Sequence, residues 1–320
     1  MTPTVSVVIP TFNRSKLLIN AIDSVLAQTY KDYEIIVIDD GSTDDTRESL
    51  RPYMARIRYF YQENRGESAA RNKGIQVARG KWLSLLDSDD VWLPTKLERQ
   101  FEAITTMDNE VGACFTDCSY VGNPDLTLSA FEQAGLNLGT RFALLDDPVK
   151  FVLAKYPALY VQSLLVLRSL LEELKGFDED MVVVGDTDLL FRLSFKTRFC
   201  CVSAPLVKID RTPSRQLGLI ELLSQRNDRI FASREHMHRK WLALPELVDC
   251  ATRQYIHDKL RRLYYDWIIS KLYKFRIADA LLKIEQVREM GDTYTLIFST
   301  LGFRAARKLS RALRSGIPGE

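Results

Sequence analysis

Along the first 120 residues, short apolar runs alternate with segments whose apolar residues recur every three or four positions. Val5–Ile9 is an apolar run stopped at Pro10, and Glu34–Ile38, Ile57–Tyr61, Trp82–Leu86 and Val111–Cys118 are further runs of strand length. Between the first two, Ser15–Ala27 places Leu17, Leu18, Ala21, Ile22, Val25 and Leu26 on one helical face. Thr43–Tyr53 reads as a second helix and Glu67–Ala78 as a third, with Gly80 as its stop signal. Pro94 then opens a helix to about Met107. Such alternation predicts an α/β fold with a mostly parallel sheet and helices on both faces.

Residues 119–158 are less regular. Leu159–Leu167 and Phe199–Ser203 read as strands, with a helix at Gly185–Lys196 between them. Beyond about residue 214 the pattern is helical throughout, without repeats or low-complexity tracts. The expected organisation is an α/β domain over residues 1–213, in halves of about 1–118 and 119–213, followed by a helical region over 214–320.

Composition adds a boundary and a polarity. A 46% apolar and 27% charged chain is an ordinary folded protein. No apolar run approaches the ~20 residues that span a bilayer, and MTPTVSVVIP lacks a basic leader region, so a cytosolic protein is expected. Five irregularly spaced cysteines read as reduced thiols rather than a disulfide framework or metal ligands. The net charge of +2 conceals a split. Residues 205–320 carry 22 basic against 13 acidic side chains, a balance of +9, leaving 22 against 29, or −7, for residues 1–204. The acidic part suits a cation-using site and the basic part an anionic surface.

The chemistry gathers where two strands end. Asp39-Asp40 closes the second apolar run, and Asp87-Ser88-Asp89-Asp90 closes the fourth. In sheets of this class ligands bind at the carboxyl ends of the strands. Closely spaced carboxylates repel, and hard oxygen ligands suit Mg²⁺ or Mn²⁺, so Asp87-Ser88-Asp89 is a candidate metal site.

Three blocks extend this reading: VVIPTFNRSKLLINAIDSVLAQTYKDYEIIVIDDGSTDDT (residues 7–46), ENRGESAARNKGIQVARGKWLSLLDSDDVWLPTKLE (63–98) and KGFDEDMVVVGDTDLLFRL (175–193). In this order they resemble family-2 glycosyltransferases over roughly residues 4–205. The resemblance implies a GT-A fold, a Rossmann-like sheet whose first half binds a nucleotide sugar and whose second half binds the acceptor. It implies that Pro10, Thr11, Phe12, Asn13 and Arg14 border the nucleotide, that Asp39, Asp40 and Arg71 face it, and that Asp87 and Ser88 lie on its ribose or sugar side. Asp89, with Asp87, would hold Mn²⁺ or Mg²⁺ on the diphosphate. Asp186 falls at the position of the catalytic base, with Asp188 as the alternative; Gly185 stands where family members commonly carry an acid. The implied reaction inverts the anomeric carbon and moves a sugar, most commonly from a UDP-sugar, to a glycan or lipid-linked hydroxyl in polysaccharide or lipopolysaccharide synthesis.

Other residues leave alternatives open. Trp92 suits either a sugar wall or core packing. Many family members carry an aromatic-Arg-x-His segment after the last strand; here Arg211 and Arg215 are candidate diphosphate clamps and the histidine is missing. In the tail 294–316, Arg304, Arg307, Lys308, Arg311 and Arg314 share a helical face, which suits either an anionic membrane surface or packing on its own domain. Nucleic acid is not an expected partner, since no binding motif accompanies the charge. Two rival functions remain. One is a catalytically silent sugar-nucleotide-binding module, supported by Gly185 and the missing histidine. The other is a haloacid-dehalogenase-type phosphatase, which shares a strand ending in D-x-D. A nicotinamide dehydrogenase is disfavoured because IPTFNRS lacks G-x-G-x-x-G.

Overall fold

The computed structural model describes residues 2–107, 110–155, 157–212, 228–273, 283–284 and 286–287. Two compact units divide the chain, Met1–Leu219 and Ile220–Glu320. In the first, β1 (Val5–Thr11), β2 (Tyr33–Asp39) and β3 (Arg58–Tyr61) step outward, and β4 (Trp82–Leu85) returns to the other side of β1. These four are parallel. The sheet continues through β8 (Leu165–Leu167), β6 (Val111–Val121), β9 (Arg198–Asp210) and β5 (Val91–Trp92), with β7 (Phe142–Leu144) also on β9. Here only β6 and β9 pair in parallel, with bulges at Thr116–Cys118. β8 is antiparallel to β4 and β6, and β5 and β7 are antiparallel to β9. The parallel character read from the sequence therefore belongs to the first half, and the sheet as a whole is mixed.

Period-2 alternation sorts β1 between two cores. Val5, Val7 and Ile9 join Leu18, Ala21, Ile22 and Val25 of α1 (Ser15–Leu26) on one face. Val8 joins Ala70 and Ile75 of α3 (Glu67–Val77) and Leu189, Leu190 and Leu193 of α8 (Gly185–Leu193) on the other. A Cβ on Gly74 would lie 2.1 Å from Val8 Cγ1, so only glycine lets α3 settle this close to β1.

Several boundaries shift from the sequence reading. Thr43–Tyr53 breaks into a short helix, α2 (Thr46–Ser49), and a 3₁₀ turn at Arg51–Tyr53, with Pro52 in that turn. Gly80 is not a left-handed cap; α3 leaves through extended Ala78, and Gly80 packs on the Val5–Ser6 backbone. Leu159–Leu167 is a 3₁₀ turn at Val161–Ser163 followed by the three-residue β8. The helix after Pro94 is α4 (Lys96–Met107). The irregular stretch holds α5 (Ala130–Ala134) and α6 (Pro148–Val152), and α7 (Arg168–Glu173) follows β8. Cys114, Cys118, Cys200 and Cys201 are buried free thiols, and Cys250 is free and exposed.

The second unit is helical where described. α9 (Asp228–Leu242) buries Ile230, Met237 and Trp241, and α10 (Cys250–Tyr273) buries Ile256, Leu260, Tyr264 and Ile268. Arg239 donates to the Tyr264 hydroxyl, which donates to Glu235. No helix among the described residues is long and apolar enough to cross a membrane. The tail 294–316 and Arg215 lie outside the described residues.

Candidate active site

Because β2 and β4 flank β1 in parallel, the carboxyl ends of all three form one rim. The loop after β1 is tied to the loop after β2. Asn13, in the left-handed region at φ 52°, accepts from Thr43 N at 2.7 Å, and its own N–H donates to Ser42 Oγ at 2.9 Å. Asparagine is among the few residues that adopt this conformation readily. Pro10 and Thr11 end β1, Phe12 is exposed, and Arg14 reaches across to Asp89 at 2.8 Å.

The two aspartates after β2 have separate tasks. Asp39 accepts from Ser42 N at 2.8 Å and from the Tyr59 hydroxyl at 2.7 Å, closing the turn. Asp40 accepts from Gln62 Nε2, Arg65 N and Gly66 N at 2.7–3.0 Å, so it gathers the loop that feeds α3. Gly41 between this turn and that loop has φ +86°, and a Cβ there would strike Asn64 N. Both carboxylates are buried and spoken for by the protein itself.

After β4 the acidic run turns tightly, with Asp90 N donating to Asp87 O at 3.0 Å. Carboxylate oxygens of Asp87, Asp89 and Asp90 all lie within 4.8 Å of one another. Asp87 accepts from Arg71 Nη2 at 2.7 Å and from Gln162 Nε2. Asp90 accepts from Asp210 N at 2.9 Å and so anchors the end of β9. Burial pushes Asp89 up from the ordinary carboxylate range; Arg14 opposes the shift and Asp87 adds to it. Burial and the charges of Asp87 and Asp89 push Asp90 well up. Arg211 draws both carboxyls down, its guanidinium 5.9 Å from the ring centres of Tyr120 and Tyr160. An all-oxygen set that raises its own proton affinity fits a hard divalent cation. Ser88, within the turn, is buried.

Arg71 joins this cluster to the candidate base. It is 3% exposed and donates to Asp186 at 2.5 Å and Asp87 at 2.7 Å, with Glu67 one helical turn away at 2.6 Å. Its guanidinium lies 5.1 Å from the Phe177 ring centre. Thus the residue expected to face the nucleotide bridges two carboxylates of the site. Arg71 pulls Glu67 down, yet burial and the charges of Asp87 and Asp186 outweigh it, pushing Glu67 up to about 7. Its side chain is still 60% exposed, so water tempers that push. Asp186 is raised by burial; Arg71 opposes the shift and Asp87 adds to it. Its side chain is 42% exposed, so water tempers this push as well, and the direction makes Asp186 a better proton acceptor than an ordinary carboxylate.

Two expectations are corrected. Asp188 does not point at the cluster: fully buried, it pairs with Arg192 at 2.8 Å, and Arg192 also holds the Leu174 and Gly176 carbonyls. One residue spacing of two on a helix turns a side chain to another face, which separates Asp188 from Asp186. Trp92 is not a sugar wall. It is 2% exposed, its indole N–H donating to Gln162 O at 3.0 Å, because β5 carries it inward. At Gly185 a Cβ would lie 3.2 Å from Ser68 Oγ, a tight contact that a small shift of the serine would relieve, so α8 begins close to α3. The residue before it, Val184, is left-handed at φ 63°, a strained entry into the helix that carries Asp186.

Gln162 escaped the sequence reading. As part of an assumed strand it carried no signal, but β8 runs antiparallel to β4, so the residues preceding β8 arrive at the rim where β4 ends. Among the described residues of the first unit, the buried side-chain atoms without a hydrogen-bond partner are Thr11 Oγ1, Arg71 Nε and Gln162 Oε1, all three in residues of this site. Buried polar atoms are normally paired, so the three are groups that a polar ligand could satisfy.

Comparison with known proteins agrees with this geometry. Residues 6–161 match the model of glycosyl transferase family 2. The chain is 32% identical over 190 residues to an uncharacterized glycosyltransferase of Rickettsia prowazekii, covering 59% of this chain and 58% of the relative. It is 38% identical over 136 residues to the putative teichuronic acid biosynthesis glycosyltransferase TuaG of Bacillus subtilis, covering 41% and 53%. The chain thus spans little more than half the length of these relatives. In fold it is similar to S. aureus TarS 1–349 in complex with UDP-GlcNAc, with TM-score 0.63, 15% identity and coverage of 99% and 93%.

Proposed function

Since residues 6–161 match the model of glycosyl transferase family 2, we propose that the chain is a metal-dependent, inverting transferase of that family. The donor would be a nucleotide diphosphate sugar, with a UDP-sugar the first to test, and the acceptor a hydroxyl of a glycan or lipid-linked glycan in cell-surface polysaccharide synthesis. The observation that carries this reading is the acidic rim of Asp87, Asp89 and Asp90, where Arg71 and Gln162, each with an unpaired buried atom, both bond Asp87. The TuaG relative and the UDP-GlcNAc complex of the fold neighbour support the choice of donor and pathway class.

Asp87, Asp89 and Asp90 would hold Mn²⁺ or Mg²⁺, whose chemistry there is to offset the charge growing on the departing diphosphate. Arg14 leaves Asp89 for the phosphates, and Arg211, with its neighbouring rings, adds a second cation beside them. Asp186 takes the proton of the acceptor hydroxyl as that oxygen attacks the anomeric carbon from behind. Arg71 keeps Asp186 and Asp87 oriented. Residues 1–118 would serve the donor and 119–213 the acceptor. An anionic membrane surface remains a proposed partner of the tail; truncation after residue 292 should weaken co-sedimentation with anionic liposomes.

The silent-module reading has one observation in its favour, the guanidinium of Arg71 on the candidate base. A phosphatase is disfavoured because Asp87, its would-be nucleophile, is already bonded on both oxygens. The deciding experiment is calorimetric titration with UDP, GDP, dTDP and CMP, with and without Mn²⁺, followed by turnover of the matching sugar donors. Mn²⁺-dependent binding of one diphosphate, with transfer from the matching sugar donor to an acceptor hydroxyl, supports the transferase. Binding without turnover supports the silent module, and binding of none refutes both.

A further inference from the structure

We propose that Lys96 is a positioning residue for the donor site, the hub of a brace that holds Gln162–Leu164 and so aims Gln162 at Asp87. This rests on the reading of Asp87 as part of that site. Lys96 is fully buried at the start of α4, and no ion pair to it is found among the described residues. Burying an ammonium is costly unless its donors are satisfied. Here Nζ donates to Ser84 Oγ at 3.1 Å and Gln100 Oε1 at 3.0 Å, and lies 3.8 Å from the centre of the Trp92 ring.

Each of these three partners spends its own proton on one of three consecutive carbonyls. Ser84 Oγ donates to Leu164 O. Gln100 Nε2 donates to Ser163 O at 2.8 Å, and to Cys114 O. Trp92 Nε1 donates to Gln162 O at 3.0 Å. The amine makes this arrangement directional. Its bonds to Ser84 and Gln100 need two N–H donors, which the side chain carries whether charged or neutral. A serine oxygen that accepts from it must send its own hydrogen elsewhere, and an amide whose oxygen faces it must turn its nitrogen away. Both therefore point at the 162–164 backbone. A neutral apolar side chain at position 96 would leave the hydroxyl free to rotate and the amide free to flip. The segment held in this way is the one whose side chain bonds Asp87, and Tyr160, which packs against Tyr120 beside Arg211, lies two residues before it.

The test uses the full chain with Lys96→Met, Gln162→Ala and the double variant, and Ser84→Ala in case Lys96→Met does not fold. Two quantities are read: hydrogen exchange of the 160–165 segment and affinity for UDP with Mn²⁺. Lys96→Met, or Ser84→Ala in its place, is expected to speed exchange in that segment and to weaken UDP binding about tenfold in the wild-type background, the scale of a coupled hydrogen-bond network. In the Gln162→Ala background the same substitution is expected to weaken binding no further, which loss of core stability alone would not produce. Unchanged exchange and affinity, or an equal loss in both backgrounds, overturns the role of Lys96. A wild-type chain that binds no UDP overturns the donor-site reading itself, and this role with it.

Discussion

Asp89→Asn keeps the shape of a side chain and removes one charge from a cluster of three. The oxygens of Asp87, Asp89 and Asp90 lie within 4.8 Å of one another, where two full charges repel by roughly 3.5 kcal/mol at an effective dielectric of 20. Burial and its acidic neighbours raise Asp90, so the repulsion counted here is that with Asp87, and water at the rim weakens it further. The variant also loses the Arg14 pair, whose arginine is nearly half exposed and which is worth about 1 kcal/mol or less. The balance is a metal-free protein more stable by about 1 kcal/mol, a rise in Tm of roughly 2–4 °C. Mn²⁺ should act in the opposite sense. At a hundred times its Kd it adds about 2.7 kcal/mol to the wild type and little to the variant. Differential scanning fluorimetry with and without Mn²⁺ measures both. A variant that melts below the wild type in chelator, or that keeps the full Mn²⁺ shift, refutes the account of a repulsive cluster relieved by a cation.

Asp186→Asn should bind UDP with Mn²⁺ as the wild type does and lose transfer by roughly 10²–10⁴-fold; wild-type turnover would remove Asp186 as the base. Asp188→Ala should instead cost about 3–5 kcal/mol in chemical denaturation, because it strands buried Arg192; a change below about 1 kcal/mol would contradict the pairing. Burial lowers Lys96 from 10.5 to about 7, so between those values the unfolded chain binds the extra proton and stability should rise with pH. Lys96→Met should flatten that rise in denaturation midpoints measured from pH 7 to 10, and an unchanged slope would mean that the lysine does not titrate in the folded protein. Gly74→Val should prevent α3 from docking on β1 and yield insoluble protein; a soluble variant with wild-type Tm would contradict the close packing.

The spacing of apolar and polar residues was enough to specify the first half of the sheet and the acidic rim. Apolar runs of strand length alternating with helical periodicity leave one arrangement that buries both faces, and the acids at the ends of β2 and β4 then fall on one edge. The family resemblance also pointed to Asp186 and Arg71, but not to their relation. That relation, and the contrast between Asp186 on the rim and Asp188 buried with Arg192, exist only once α3 and α8 pack on the same core. Trp92 was open in the sequence because a tryptophan after a loop serves a wall or a core equally; the pairing of β5 with β9 decided for the core. Gln162 and Lys96 were invisible for a related reason. A glutamine within an apolar run and a lysine at a helix start carry no signal in one dimension. They acquire meaning only when an antiparallel strand delivers one to the rim and the core closes around the other, since hydrogen-bond direction and burial are properties of neighbours in space.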